Sequence, residues 1–71
     1  MDTSTIVKGL SKFENLFTKK INNNFCVCST DDLNEMNKYY HFTHGRQACV
    51  TCSEDAGTMV QELAEWYFKS K

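Results

Sequence analysis

Two apolar stripes at helical spacing, with two cysteine pairs between them, predict an α+β fold that is mostly helical. In that fold an N-terminal amphipathic helix packs on a small zinc-bound β-hairpin and on a C-terminal helix. The length, 71 residues, allows one domain and no second. Its expected parts are a helix over 1–24, zinc knuckles and hairpin over 25–52, and a helix over 53–70. At this size burial leaves only about 3–5 kcal/mol of net stability, so a metal, a disulfide or a partner is a common supplement. Aromatic residues make up 13% of the chain, too many for a disordered one, so the chain is expected to fold.

The first stripe is Ile6, Val7, Leu10, Phe13, Leu16, Phe17 and Ile21. These recur at three- and four-residue steps, with Lys12, Glu14, Lys19 and Lys20 mainly on the other face. Asp2, Thr3 or Ser4 suits the cap, and the asparagines 22–24 suit the stop. Phe25 to Cys28 reads as a short extended piece or metal knuckle. Thr30 or Asp31 offers a cap for a short helix over 32–38. Tyr39, Tyr40, Phe42 and Thr43 favour a strand, Gly45 breaks it, and 47–50 reads as a second strand pairing with the first. The last stripe is Ala56, Met59, Val60, Leu63, Ala64, Trp66 and Tyr67. It has Ser53 as cap, Glu54 and Asp55 at its positive start, and Lys69 and Lys71 at its end. The two stripes are expected to pack on one another.

The cysteines fall as Cys26-Val-Cys28 and Cys49-Val-Thr-Cys52, with twenty residues between the pairs. A tetrahedral zinc ion takes four such ligands, and a gap of about 15–20 residues lets a hairpin return the second pair to the first. Cys52 stands just before a helix start, where thiolate charge is offset. This makes Cys26, Cys28, Cys49 and Cys52 the expected zinc ligands, with His44 as a substitute for one of them. The first pair is C-x-C, less common in zinc sites than C-x-x-C. Two disulfides, four unrelated buried thiols, or a redox C-x-x-C are the competing readings of the same cysteines.

The order of knuckle, hairpin and C-x-x-C at a helix start resembles a treble-clef zinc finger over residues 25–70. Arg46, Cys49, Cys52 and Gly57 are also similar to the zinc half of HNH nucleases of the phage recombination-endonuclease type. In that family an Asn stands where this chain has Ser53. His41 and His44 would answer to the family's Asp-His-x-His motif, with one residue too many between them and Tyr40 at the acidic position. The resemblance implies bound zinc and, through the second family, contact with nucleic acid.

No other motif speaks for an enzyme. A zinc ion closed by four thiolates has no open position, so its expected role is structural and the working surface lies elsewhere. Net charge is −1, against the basic face usual in duplex-binding domains. Tyr39, Tyr40 and Phe42, or Trp66 and Phe68, supply aromatic anchors in excess of so small a core. The expected function is therefore that of a small zinc-binding protein-interaction module, with a nucleic-acid-binding zinc module or a degenerate HNH-like nuclease as the alternative. No apolar run is long enough for a bilayer, and Lys8, Lys12 and Glu14 interrupt any leader core, so a cytoplasmic location is expected. The small size and Asn- and Lys-leaning composition fit a viral or phage accessory regulator of a host complex.

Overall fold

The Asp2 carboxylate accepts the backbone N–H of Thr5 at 2.8 Å and so caps the first helix, α1, Thr3–Leu10. The computed structural model describes residues 2–22 and 29–71. The single helix expected over the first stripe is divided. A 3₁₀ turn, Ser11–Phe13, separates α1 from α2, Glu14–Ile21. Ser11 Oγ donates to Lys8 O at 2.7 Å, a back-bond of the kind that tightens a helix locally. Ile6, Leu10, Phe13 and Phe17 nevertheless stay on one buried side across all three pieces. The stripe ends there, because Ile21 is 39% exposed. Asn22 closes α2 with ordinary negative φ, its N–H on Thr18 O at 3.2 Å. Asn23 and Asn24 lie outside the described residues.

The β-hairpin is the expectation that the structure overturns. Among the described residues there is no strand, and residues 39–43 form the second half of α3, Thr30–His44. Burial on a helical period explains this. Leu33, Met36 and Tyr40 recur at three and four residues, Met36 and Tyr40 are fully buried, and Leu33 packs against the same core. That burial outweighs the strand preference of Tyr, Phe and Thr, which is a preference for half-buried pleated surfaces more than a property of the backbone. Ser29 caps the helix by accepting the Asp32 N–H at 3.2 Å. Gly45, read as a strand breaker, is the helix C-cap at φ 74°, a left-handed position that favours glycine. Residues 47–49 are irregular, and the Asn37 amide takes over the pairing role of the missing strand. Its Oδ1 accepts the Ala48 N–H at 2.8 Å and its Nδ2 donates to Ala48 O at 3.1 Å.

The last helix, α4, Ser53–Ser70, follows the sequence reading most closely. Ala56, Met59, Val60, Leu63, Ala64 and Tyr67 are buried along one side, while Trp66 is half-buried. α4 touches α1, α2 and α3, so it is the element around which the core is built. The Phe17 and Tyr67 rings lie 5.6 Å apart, where the N-terminal and C-terminal stripes meet as expected. The Tyr67 hydroxyl leaves the core by donating to Glu14 Oε1 at 2.6 Å, and Lys71 Nζ reaches the same oxygen at 2.9 Å. The cap differs from expectation. Cys52 is the N-cap, without a side-chain bond, and Ser53 is the first helical residue.

Two helical glycines give opposite expectations. A β-carbon on Gly57 would stand 3.4 Å from Lys20 Nζ, the end of a flexible side chain. Gly57→Ala is therefore expected to raise stability by about 0.5–1 kcal/mol, the usual helix-propensity gain. A β-carbon on Gly9 would run into the Tyr39 hydroxyl and lie 2.6 Å from Cζ of that rigid ring. Overpacking of this kind costs about 1–3 kcal/mol, enough to cancel the propensity gain or exceed it. Urea denaturation of both variants is expected to show Gly57→Ala above the parent protein and Gly9→Ala at or below it. Equal gains for both would mean that α1 and α3 are not in contact here.

Candidate metal centre

Three local devices deliver Cys49 and Cys52 to one point. Gly45 ends α3, Asn37 fixes Ala48, and the turn 49–52 closes with the Cys52 N–H on Cys49 O at 3.1 Å. Val50, inside the turn, packs against the core and holds it down. Cys52 O then accepts the Ala56 N–H at 2.9 Å, the first bond of α4. The result is two exposed thiols with their Sγ atoms 2.9 Å apart at the head of a helix. Thr51 Oγ1 lies 3.2 Å from Cys49 Sγ.

Asp55 completes the cluster. One donor atom each from Cys49, Cys52 and Asp55 lies within 4.8 Å of the others, close enough to share a metal ion. The thiols also differ electrically. The hydrogen bond with Cys52, then that with Thr51, lowers the pKa of Cys49. The same contact with Cys49, then its charge and that of Asp55, raises the pKa of Cys52. Deprotonation is thus favoured at Cys49 relative to Cys52, and a cation, or the positive end of α4, would offset the charge of a second thiolate. Two thiols and one carboxylate are donor groups that a metal ion can share.

The other expected ligands stand apart from this group. Cys26 and Cys28 lie outside the described residues. His44 is not in the cluster. Its Nδ1 is 2.6 Å from Thr43 Oγ1, its Nε2 is 3.9 Å from Glu62 Oε2, and its ring rests 4.6 Å from that of Tyr40. His41 sits on the exposed side of α3, with its ring edge-on to Phe42. Asp55 and Asn37 are the site residues that sequence reasoning missed. Asp55 carries a signal, since C-x-x-C-x-x-D across a helix start brings the three side chains together, but an acidic residue there suits the positive helix start equally well. Asn37 carried none, because its target is a backbone group eleven residues away.

The five expected partner-binding aromatics separate by burial. Tyr40 is fully buried, and its hydroxyl donates to Glu62. Tyr39, Trp66 and Phe68 are half-buried and pack against the core. Phe42 is 50% exposed.

Around Tyr40, Arg46 reaches both Glu62 oxygens at 3.1 and 3.2 Å and lies over the Tyr40 ring. The Tyr40 hydrogen bond, then the Arg46 charge, holds the Glu62 carboxyl below the usual carboxylate range. Burial, then Glu62, pushes the Tyr40 phenol up. The lowered carboxyl stabilises the fold above its unfolded pKa, and this is lost as pH falls through the folded value. The raised phenol acts at the opposite end, and its contribution is lost as pH rises through the folded value. Glu62→Ala is expected to cost about 1–3 kcal/mol, because the buried hydroxyl loses its acceptor. Arg46→Ala is expected to cost about 1 kcal/mol or less, as its side chain is mostly exposed. Melting curves across the acid range should show a shallower fall for Glu62→Gln than for the parent protein. Identical slopes would remove this carboxylate from the acid response.

No family model, no curated protein and no solved structure matches this chain. Among the described residues no helix is long and apolar enough to cross a membrane.

Proposed function

We propose that this chain is a small helical module held by zinc that docks on a protein partner. Cys49 and Cys52 are the ligands from the described residues, with Cys26 and Cys28 as the second pair. The supporting observation is the convergence of two exposed thiols and a carboxylate at the head of α4, on a turn held by Asn37 and Val50. The metal in this reading neutralises the thiolates and ties the segment ahead of α3 to the start of α4. With four thiolate ligands it has no open position for catalysis.

The docking surface in this reading centres on Phe42. The other aromatics proposed for it are wholly or partly used by the core, whereas half of Phe42 faces outward from α3. Exposed aromatic anchors commonly dominate interfaces, and truncating one typically costs about 2 kcal/mol or more of binding. Phe42→Ala is expected to keep the helical signal and the bound metal while losing a partner captured from the natural host. If only variants that also unfold lose that partner, the docking surface is not here. Steeply salt-dependent oligonucleotide binding would replace the protein partner with a nucleic acid.

A further inference from the structure

The 2.9 Å between Cys49 Sγ and Cys52 Sγ is short for two metal ligands. Around tetrahedral zinc, with Zn–S near 2.3 Å, two sulfurs stand roughly 3.8 Å apart. In a disulfide they stand about 2.05 Å apart. The observed pair lies between these values, on a two-residue turn whose closing hydrogen bond already holds the backbone of both cysteines together. Both side chains are exposed, so a small reagent can reach either sulfur. Thr51 Oγ1 can donate to a thiolate on Cys49. The turn is anchored on both sides, by Asn37 ahead of it and by the first bond of α4 behind it.

We propose that Cys49 and Cys52 form a thiol–disulfide exchange pair, oxidised by small disulfides of the glutathione class. The Cys49 thiolate attacks one sulfur of the small disulfide, forming a mixed disulfide and expelling one small thiolate. Cys52, as thiolate, then attacks Cys49 Sγ, closing the Cys49–Cys52 bond and expelling the second small thiolate. The protein loses two electrons and two thiol protons, and the small disulfide is reduced to two thiols. Bridge closure also removes two ligands from the zinc site, and that consequence alone rests on the proposed function.

The full chain itself supplies the test. Trypsin cutting after Lys20, Lys38, Arg46 and Lys69 places Cys26 and Cys28 in one peptide and Cys49 and Cys52 in another. Reduced protein, zinc-loaded and zinc-free, is incubated with oxidised glutathione, alkylated and digested. The expected result is complete loss of alkylation in the peptide 47–69, lighter by two hydrogens and not joined to another peptide. Cys52→Ser is expected instead to carry glutathione on Cys49. A bridge between peptides 21–38 and 47–69, or full alkylation of Cys49 and Cys52 after incubation, overturns the proposal. Zinc content measured in the same samples separates the two readings. A bridge in protein that never bound zinc upholds the exchange pair and removes the metal site. Zinc retained with no bridge formed does the reverse.

Discussion

Leu63→Ala is expected to cost about 2–5 kcal/mol, which is most or all of the stability available to a domain of this size. Leu63 is fully buried midway along α4, and α4 is the helix that each of the others touches. It shares one core cluster with Leu10 and Phe17 on the N-terminal pieces and Met36 and Tyr40 on α3. Those residues come from elements far apart in sequence, so they cannot collapse into the space without moving whole helices. At about 4–8 °C per kcal/mol, the melting midpoint should fall by at least roughly 8 °C. Calorimetry or circular dichroism against temperature reads this directly. A shift below about 2 °C would place Leu63 outside a packed core and undo the helical arrangement.

In the proposed zinc-held module, removal of the metal is expected to have an effect of similar size. A ligand that binds only the folded state at a thousand times its dissociation constant adds about 4 kcal/mol. Chelation therefore leaves a protein near its midpoint, with a melting temperature lower by roughly 15–30 °C. The unfolding should be cooperative. α4 begins immediately after Cys52 and also carries the core, so α3 and α4 cannot unfold while α1 and α2 stay folded. Calorimetry of reduced protein with and without chelator measures the shift. An unchanged midpoint would mean that the core suffices alone.

The terminal helices were legible because their evidence is repeated. Seven apolar residues at helical steps in α4 outvote any single exception: six of the seven are buried, and the seventh, Trp66, is half-buried. The N-terminal stripe was equally readable, although its interruption at Ser11 depends on one side-chain bond that composition does not announce. α3 was misread because its pattern is sparse. Leu33, Met36 and Tyr40 are three residues over two turns, and four strand-favouring residues sit close together at 39–43. Whether Tyr40 is core or surface depends on α4, where Glu62, the partner of its hydroxyl, stands 22 residues later. The second cysteine pair could be read from its spacing and from the helix behind it. Its carboxylate neighbour and the Asn37 tether depend on three-dimensional contact. The first pair, Cys26 and Cys28, falls outside the described residues and remains an expectation from spacing.

The central claim is that the Cys49–Cys52 turn is a metal site, and native mass spectrometry of the reduced protein tests it most directly. The account predicts one zinc ion per chain, lost on addition of a strong chelator and absent from Cys49→Ser and Cys52→Ser variants prepared under reducing conditions. Those variants keep Asn37, Val50 and the core, so they isolate the ligands from the scaffold. Reduced parent protein that carries no zinc at a saturating concentration would contradict the account, as would variants that bind zinc as tightly as the parent protein.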